Sequence, residues 1–157
     1  MKMNKNVENN NEVVTINRND LIVPDMINGL TDTTSAFFSS IVDDGSRKSK
    51  IAIYNAISKD DEKLDDHKGE ILKIKDIVAH TVTLADEESG EVLNLVRIIL
   101  IDDKGVGYAS ISQGVYSSIQ KIFAIVGMPT WDEPMKLKCV EQKTRKGFKT
   151  LTLELVD

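Results

Sequence analysis

The stretch from Ile98 to Gly127, IILIDDKGVGYASISQGVYSSIQKIFAIVG, limits the possible folds more than any other part of the chain. It begins with a fully apolar strand, which a tight turn at Asp102–Gly105 joins to a second strand at Val106–Ser112. One amphipathic helix follows, because apolar side chains then recur at helical spacing, at Val115, Ile119, Ile122, Phe123 and Val126. Two strands that lead directly into a lone helix are compatible with few architectures.

Patterns of apolar residues predict strands on both sides of this stretch. Glu70–Asp86 alternates apolar and polar residues over a long run, with Asp76 on the apolar side as a candidate bulge. Val92–Ile101 has a continuously apolar centre, which indicates burial on both faces. Met135–Lys143 and Phe148–Val156 predict a closing hairpin.

The resulting order is strand, strand, strand, helix, strand, strand. This order predicts an all-β protein, a five-stranded OB-fold Greek-key barrel with one helix between strands 3 and 4. Upstream, Ile51–Ile57 is interpreted as an additional strand and Thr31–Val42 as a short helix. Ser58–Gly69 is interpreted as a charged loop with Leu64 as its apolar anchor.

The first 46 residues differ in composition from the rest of the chain. Residues 1–46 hold seven acids against three bases and predict an acidic, Asn-rich, partly disordered N-terminal extension to an OB-fold domain at residues 47–157. Residues 1–12 have too little apolar content to order, whereas Val13–Ile16 and Leu21–Val23 are candidate short strands. The extension is either a solvated arm or a competitor of nucleic acid for a basic groove.

Composition restricts the class of protein. Hydrophobic residues make up 41% of the chain, the net charge is -5 and the pI is about 5.1. A net acidic protein does not bind nucleic acid by bulk charge, so such binding requires a local basic patch. One cysteine, no run of about 18 apolar residues and no signal-peptide pattern predict a soluble intracellular protein without membrane contact.

The final hairpin carries such a patch. Residues 136–149 hold six basic residues against the single acid Glu141. Lys73 and Lys75, on the polar side of the first barrel strand, extend this patch into a stripe. The predicted phosphate contacts are Lys73, Lys75, Lys136, Lys138, Lys143, Arg145, Lys146 and Lys149. The alternative is a hairpin whose lysines protect an edge from aggregation.

Aromatic residues are few, so their positions matter for base stacking. Single-strand binders combine a basic track with aromatic platforms. Tyr108 and Phe148 fall on polar faces by alternation and are the preferred platforms. Tyr54, Tyr116 and Trp131 are interpreted as residues that pack at the rim.

No pattern in the chain indicates catalysis. The carboxylates of Asp65–Asp66 and Asp102–Asp103 point apart as sequence neighbours in a strand or turn, so neither pair predicts a metal nuclease. His67 and His80 lack partners at metal-ligand spacing, and His80 is interpreted as a satisfied core histidine. Cys139 alternates with core residues. We therefore expect no enzyme activity, no metal and no cofactor.

The run LIDDKGVGYASISQGVYSSIQKIFAIVGMPTW, with the strand before it and the Lys-rich hairpin after it, resembles a known family. This family is the OB-fold single-stranded-DNA-binding proteins of small bacteriophages and mobile elements of Gram-positive bacteria. The resemblance covers roughly residues 50–156. It implies a protein that coats single-stranded replication intermediates without sequence preference, in the host-cell cytoplasm.

Two functions remain open from the sequence. The first is the coating of single-stranded DNA during phage replication, with replication proteins as further candidate partners. The second is a protein-interaction module, either a replication accessory or a host-takeover factor, that presents an edge strand or the acidic arm to a protein. Neither reading sets the oligomeric state.

Overall fold

A computed structural model describes residues 37–157. The predictions for residues 1–12, Val13–Ile16 and Leu21–Val23 lie outside this range. The elements in chain order are β1 (Phe37–Ser39), α1 (Arg47–Ile57), β2 (Glu62–Lys63), a 3-10 helix (Leu64–His67), β3 (Ile71–Ala85), β4 (Val92–Asp102), β5 (Gly107–Ser110), α2 (Gln113–Val126), β6 (Met135–Lys143) and β7 (Lys149–Val156). None of these helices has the length and apolar character needed to span a membrane.

The strands form one curled, seven-stranded sheet in the order β2-β5-β4-β3-β6-β7, and β1 pairs with β3. Residues 37–84 and 92–157 lie in one compact unit, which contains nearly all of this sheet. Residues 85–91 belong to a second unit, in which the Asp86 amide donates to the Glu91 carbonyl at 2.8 Å. The mostly β architecture is consistent with an OB-like barrel, although the sheet has seven strands where five were predicted.

The core lies on both faces of β4, as its continuously apolar centre predicted. Ile98 and Leu100 face an inner cluster with α2, β3 and β6, whereas Ile99 and Ile101 face an outer cluster. The buried members of the inner cluster are Leu64, Leu72, Ile74, Ile77, Ile98, Leu100, Val115, Ile119, Ile122, Leu137 and Cys139. The outer cluster contains Ala56, Val78, Ile99 and Ile101. Burial of this apolar area stabilises the packing of α2 against the sheet.

The long strand β3 changes its inward-facing residues midway. Leu72 and Ile74 are buried in the inner cluster, and Ile77, rather than Asp76, continues it. Asp76 is half-buried, and its carboxylate accepts a hydrogen bond from the Ser40 hydroxyl at 2.8 Å. The alternation therefore shifts by one residue where the sequence predicted a bulge.

Helix α2 begins after Ser112, which is its N-cap by position, but the Ser112 hydroxyl makes no capping hydrogen bond. It accepts a hydrogen bond from the Leu151 amide of β7 at 3.4 Å. Six residues later, the Ser118 hydroxyl accepts from the Leu153 amide at 3.0 Å and donates to the Gly114 carbonyl at 2.8 Å. Two backbone amides of β7 thus donate hydrogen bonds to serine hydroxyls at the start of α2 and within it.

The strand predicted at Ile51–Ile57 is wrong, because these residues belong to α1. The Ser46 hydroxyl accepts from the Ser49 amide at 3.1 Å and caps this helix. Ala56 is buried in the outer cluster and Ile57 packs against it. Packing of one helical side against β4 outweighs the short alternation of isoleucines that suggested a strand.

Two further predictions upstream of β3 need correction. Phe37–Ser39, expected in a helix over Thr31–Val42, is a strand paired antiparallel with β3, and residues 31–36 lie outside the described range. Because this segment is short, its pairing with β3, rather than its own residue pattern, determines that it is a strand. Ser58–Gly69 is not simply a loop, since it contains β2, which pairs parallel with β5, and the 3-10 helix. Leu64 is fully buried, as its predicted anchor role requires.

Candidate nucleic-acid interface

Four lysines share the outer face of β3 and β6. Lys73 and Lys136 are Cα partners in the antiparallel pair, and their chain neighbours Leu72 and Leu137 point into the core. Strand alternation places Lys75 and Lys138 on the same face. We call Lys73, Lys75, Lys136 and Lys138 the lysine quartet. Within residues 37–157, none of the four forms an ion pair with a side chain. The Lys136 Nζ donates to the main-chain oxygen of Asp157 at 3.3 Å, and Glu154 is the Cα partner of Lys138.

A second basic group surrounds the turn between β6 and β7. Lys143 and Lys149 are directly opposed Cα partners, and Arg145 and Lys146 occupy the exposed turn between them. Gly147 closes the turn with a φ of 85°. We call Lys143, Arg145, Lys146, Phe148 and Lys149 the hairpin tip.

The basic residues do not form the single stripe that alternation suggested. Lys143 and Lys149 lie on the face of Leu137 and Cys139, opposite to the face of Lys136. Both are exposed, because the hairpin extends beyond the inner cluster at this end. Phosphates that contact both groups must therefore pass around the hairpin from one face to the other.

Of the two predicted stacking platforms, Phe148 is more accessible than Tyr108. Its side chain is 69% exposed, and its backbone carbonyl accepts from the Thr144 amide at 2.7 Å. Phe148 lies in the turn directly before β7 and is adjacent in sequence to the exposed Lys149. An exposed ring in the same turn as the basic residues of the hairpin tip is a suitable platform for a base.

Tyr108 does not lie on a purely polar face. Its ring packs against the inner cluster, and its hydroxyl donates to the Asp102 carboxylate at 3.2 Å. It also contacts the His67 ring edge-on, with ring centroids 5.0 Å apart. Burial, followed by the negative charge of Asp102, raises the pKa of the Tyr108 hydroxyl. Only part of this ring is available to a base.

Two other aromatic side chains differ in accessibility. Trp131 packs against the inner cluster, and its ring nitrogen has no hydrogen-bond partner within the described chain. Tyr54 is 71% exposed on α1, on the same helical face as Arg47 and Lys50. The sequence interpretation missed this face because it assigned a strand there. The spacing of residues 47, 50, 51 and 54 was the available signal.

His67 joins three segments near the edge of the sheet. Its Nε2 lies 2.8 Å from Glu62 of β2, and its Nδ1 lies 3.0 Å from Glu70, which precedes β3. Hydrogen bonds to Glu70 and then to Glu62 raise the pKa of the imidazole, because both carboxylates favour the charged ring. The charged imidazole thus links β2 to the residue before β3 through two carboxylates. β2 in turn pairs with the edge of β5.

This arrangement predicts a pH-dependent contribution to stability. Because the pKa of His67 is higher in the folded chain, its contribution is fully present below about pH 6.5 and is lost as pH rises through the raised value. We expect the melting-temperature difference between the wild type and His67→Gln to shrink from about pH 5.5 to about pH 8.5. Thermal melts of both proteins across this range measure it. A difference that grows with pH would contradict the ion-pair arrangement.

The residues considered for catalysis occupy structural positions. Cys139 is fully buried, and burial raises the pKa of its thiol. His80 is only half-buried, and its Nε2 has no partner among residues 37–157, so the expectation of a satisfied core histidine is wrong. Burial and the nearby Arg97 lower its pKa. The described part of the chain contains no group of three side chains positioned to hold a metal.

Comparison with known proteins adds one finding. A family model described as phage single-stranded DNA-binding protein, named for the phage Phi29, matches residues 31–156. The matched region contains every strand and both helices of the structure. No curated protein and no solved structure matches the chain.

Proposed function

Because the chain belongs to the Phi29 family of phage single-stranded DNA-binding proteins, we propose that it coats replication intermediates through the lysine quartet and the hairpin tip. The family function is single-stranded DNA binding in phage replication. The proposed action is stoichiometric protection of the strand in the host-cell cytoplasm, without sequence preference and without catalysis. Replication proteins are candidate further partners.

In this proposal, β3 to β7 with α2 form an OB-like unit. The helix α2 lies between the third and fourth of these strands, and β1, α1 and β2 are additions before or beside them. The turn between β6 and β7 then corresponds to one of the loops that bind oligonucleotides in OB folds. This correspondence gives the hairpin tip its proposed role.

The opposed lysine pairs are the observation that carries the proposal. Lys73 faces Lys136, and Lys143 faces Lys149, although the chain as a whole has a net charge of -5. Like charges directly opposite one another destabilise a strand pair. Phosphates bound between the paired ammonium groups would offset this repulsion. A purely structural role for these lysines does not account for the two opposed pairs.

Bases and phosphates have separate contacts in this mechanism. Ammonium groups of the quartet and the tip bind phosphates and release counterions, so affinity falls as salt rises. Phe148 stacks on a base without reading its edges, and Tyr108 supplies a second, partly buried ring. Neither type of contact distinguishes one base from another.

The stacking contact is tested by Phe148→Leu. We expect this variant to bind a dT oligonucleotide about fivefold to tenfold more weakly, because stacking of one base is lost while charge is unchanged. Tyr116→Leu, at an exposed position on α2, is the matched control and should bind as the wild type does. Equal affinity of Phe148→Leu and the control would remove Phe148 from the interface.

Sequence-independent coating is tested by fluorescence titration with three ligands of equal length. These ligands are a dT strand, a mixed-sequence strand and the duplex of that mixed sequence. We expect the two single strands to bind within about tenfold of each other, and both more tightly than the duplex. A strong preference for one sequence, or for the duplex, would contradict the proposed function.

A further inference from the structure

Helix α1 presents an exposed face that combines basic and apolar side chains. Arg47, Lys50, Ile51 and Tyr54 lie at positions i, i+3, i+4 and i+7, which form one side of a helix. Tyr54 is 71% exposed and Ile51 is 49% exposed. Together with Gly45, these four residues line an open cavity of about 450 Å³.

The opposite side of α1 holds the helix on the outer face of the sheet. Ala56 is buried beside Ile99 and Ile101 of β4, in the outer cluster. The Asp103 amide, two residues after Ile101, donates to the Lys73 carbonyl at 3.0 Å. Helix α1 therefore lies on the same face of the sheet as the lysine quartet, over the strand next to Lys73.

The charges around this face favour an anionic ligand. Lys50 is paired with Asp43 at 3.0 Å, and Asp43 and Asp44 also accept backbone hydrogen bonds in the turn before the helix. Arg47 and Lys48 have no ion-pair partner in the part of the chain that the structure describes. One uncompensated cation, Arg47, thus lies on the same helical face as the exposed Tyr54 ring.

We propose that Arg47, Lys50, Ile51 and Tyr54 form a second contact site for the same single strand of DNA that binds the lysine quartet. This inference rests on the proposed function and extends it. A base stacks on the Tyr54 ring beside Ile51, and the Arg47 guanidinium binds a neighbouring phosphate. The strand then crosses the outer face of the sheet from the hairpin tip, along the quartet, to α1.

A protein occupant fits this face less well than a nucleic acid. Specific protein interfaces bury at least about 1,000 Å² in total. Among the described residues of α1, the large apolar side chains exposed on this face are Ile51 and Tyr54, and they lie next to basic residues. Such a small apolar surface with cationic neighbours matches one base with its phosphates.

The test uses the full chain and two variants, Tyr54→Leu and Arg47→Ser. Both residues are exposed, so melting temperatures should stay close to that of the wild type. In fluorescence titration with a long dT oligonucleotide, we expect each variant to bind about tenfold more weakly, a change of about 1.4 kcal/mol. Tyr116→Leu serves as the aromatic control and should leave the affinity unchanged.

Cross-linking gives an independent measurement on unmodified protein. An oligonucleotide that carries 5-iodouracil is irradiated in complex with the wild type, and the cross-linked peptides are sequenced. We expect Tyr54 among the cross-linked residues. Wild-type affinity of both variants, or cross-links confined to other elements, would overturn this inference while leaving the proposed function intact. Failure of the wild type to bind any strand would instead overturn the proposed function.

A third outcome concerns self-association. If Tyr54→Leu changes the oligomeric state in size-exclusion chromatography and leaves the affinity for DNA unchanged, α1 is an interface between copies, and the DNA contact is rejected. We expect the elution volume of the variant to equal that of the wild type.

Discussion

The double variant Lys73→Glu/Lys136→Glu should bind a dT oligonucleotide at least about 100-fold more weakly than the wild type at low salt. Each reversal removes a phosphate contact and adds a repulsive charge, and a loss of about 1.4 kcal/mol at each site gives this factor. The two residues are opposed on β3 and β6, so one strand that follows the quartet meets both changes. The dependence of log affinity on log salt should also become shallower by about 1.4, or about 0.7 for each lost phosphate contact.

A control with the same net charge separates local contacts from long-range attraction. Lys104, in the turn before β5, and Lys121, on α2, are exposed and lie outside the quartet and the hairpin tip. Lys104→Glu/Lys121→Glu should lower the affinity only slightly and keep the slope of the wild type. If both double variants lose affinity equally, the outer face of β3 and β6 is not the binding surface.

The second large effect concerns folding, at Gly114 in the first turn of α2. A methyl group at this position would meet the Leu151 carbonyl oxygen and approach the Thr150 hydroxyl oxygen to 2.6 Å. The backbone of β7 cannot move without breaking the hydrogen bonds from the Leu151 and Leu153 amides to Ser112 and Ser118. We expect Gly114→Ala to lower the free energy of unfolding by about 2–4 kcal/mol, from overpacking and lost hydrogen bonds.

Urea denaturation of Gly114→Ala measures this effect, with Gln113→Ala as the neighbouring control. Gln113 is exposed in the same turn, so its replacement should change the unfolding free energy by less than about 0.5 kcal/mol. Equal stability of Gly114→Ala and the wild type would show that α2 and β7 are not packed as closely as described.

The elements that the sequence predicted well have long, regular patterns. Strands β3, β4, β6 and β7 and helix α2 bury one or both faces, and burial produces alternation or helical spacing over many residues. The upstream elements are short, and their structure depends on tertiary partners. β1 and β2 exist because edges of β3 and β5 accept them. Ile51–Ile57 is a helix because Ser46 caps it and β4 covers Ala56.

The candidate site was predictable in composition and less so in arrangement. The excess of basic residues at 136–149 is visible in the sequence alone, and most of these residues are exposed in the structure. The division of these residues between two faces depends on where the hairpin extends beyond the core. The partial burial of Tyr108 depends on the packing of β5 against the inner cluster. The α1 face could be predicted only from a helix, because Arg47 and Tyr54 would lie on opposite faces of a strand.

Titration of the wild-type protein with a dT oligonucleotide at several salt concentrations tests most directly whether this surface binds single strands through phosphates. If the opposed pairs Lys73–Lys136 and Lys143–Lys149 each hold phosphates, log affinity should fall linearly with log salt. Four or more contacts give a slope of about -3 or steeper. Absence of binding at low salt, or an affinity that does not change with salt, would contradict the proposed interface.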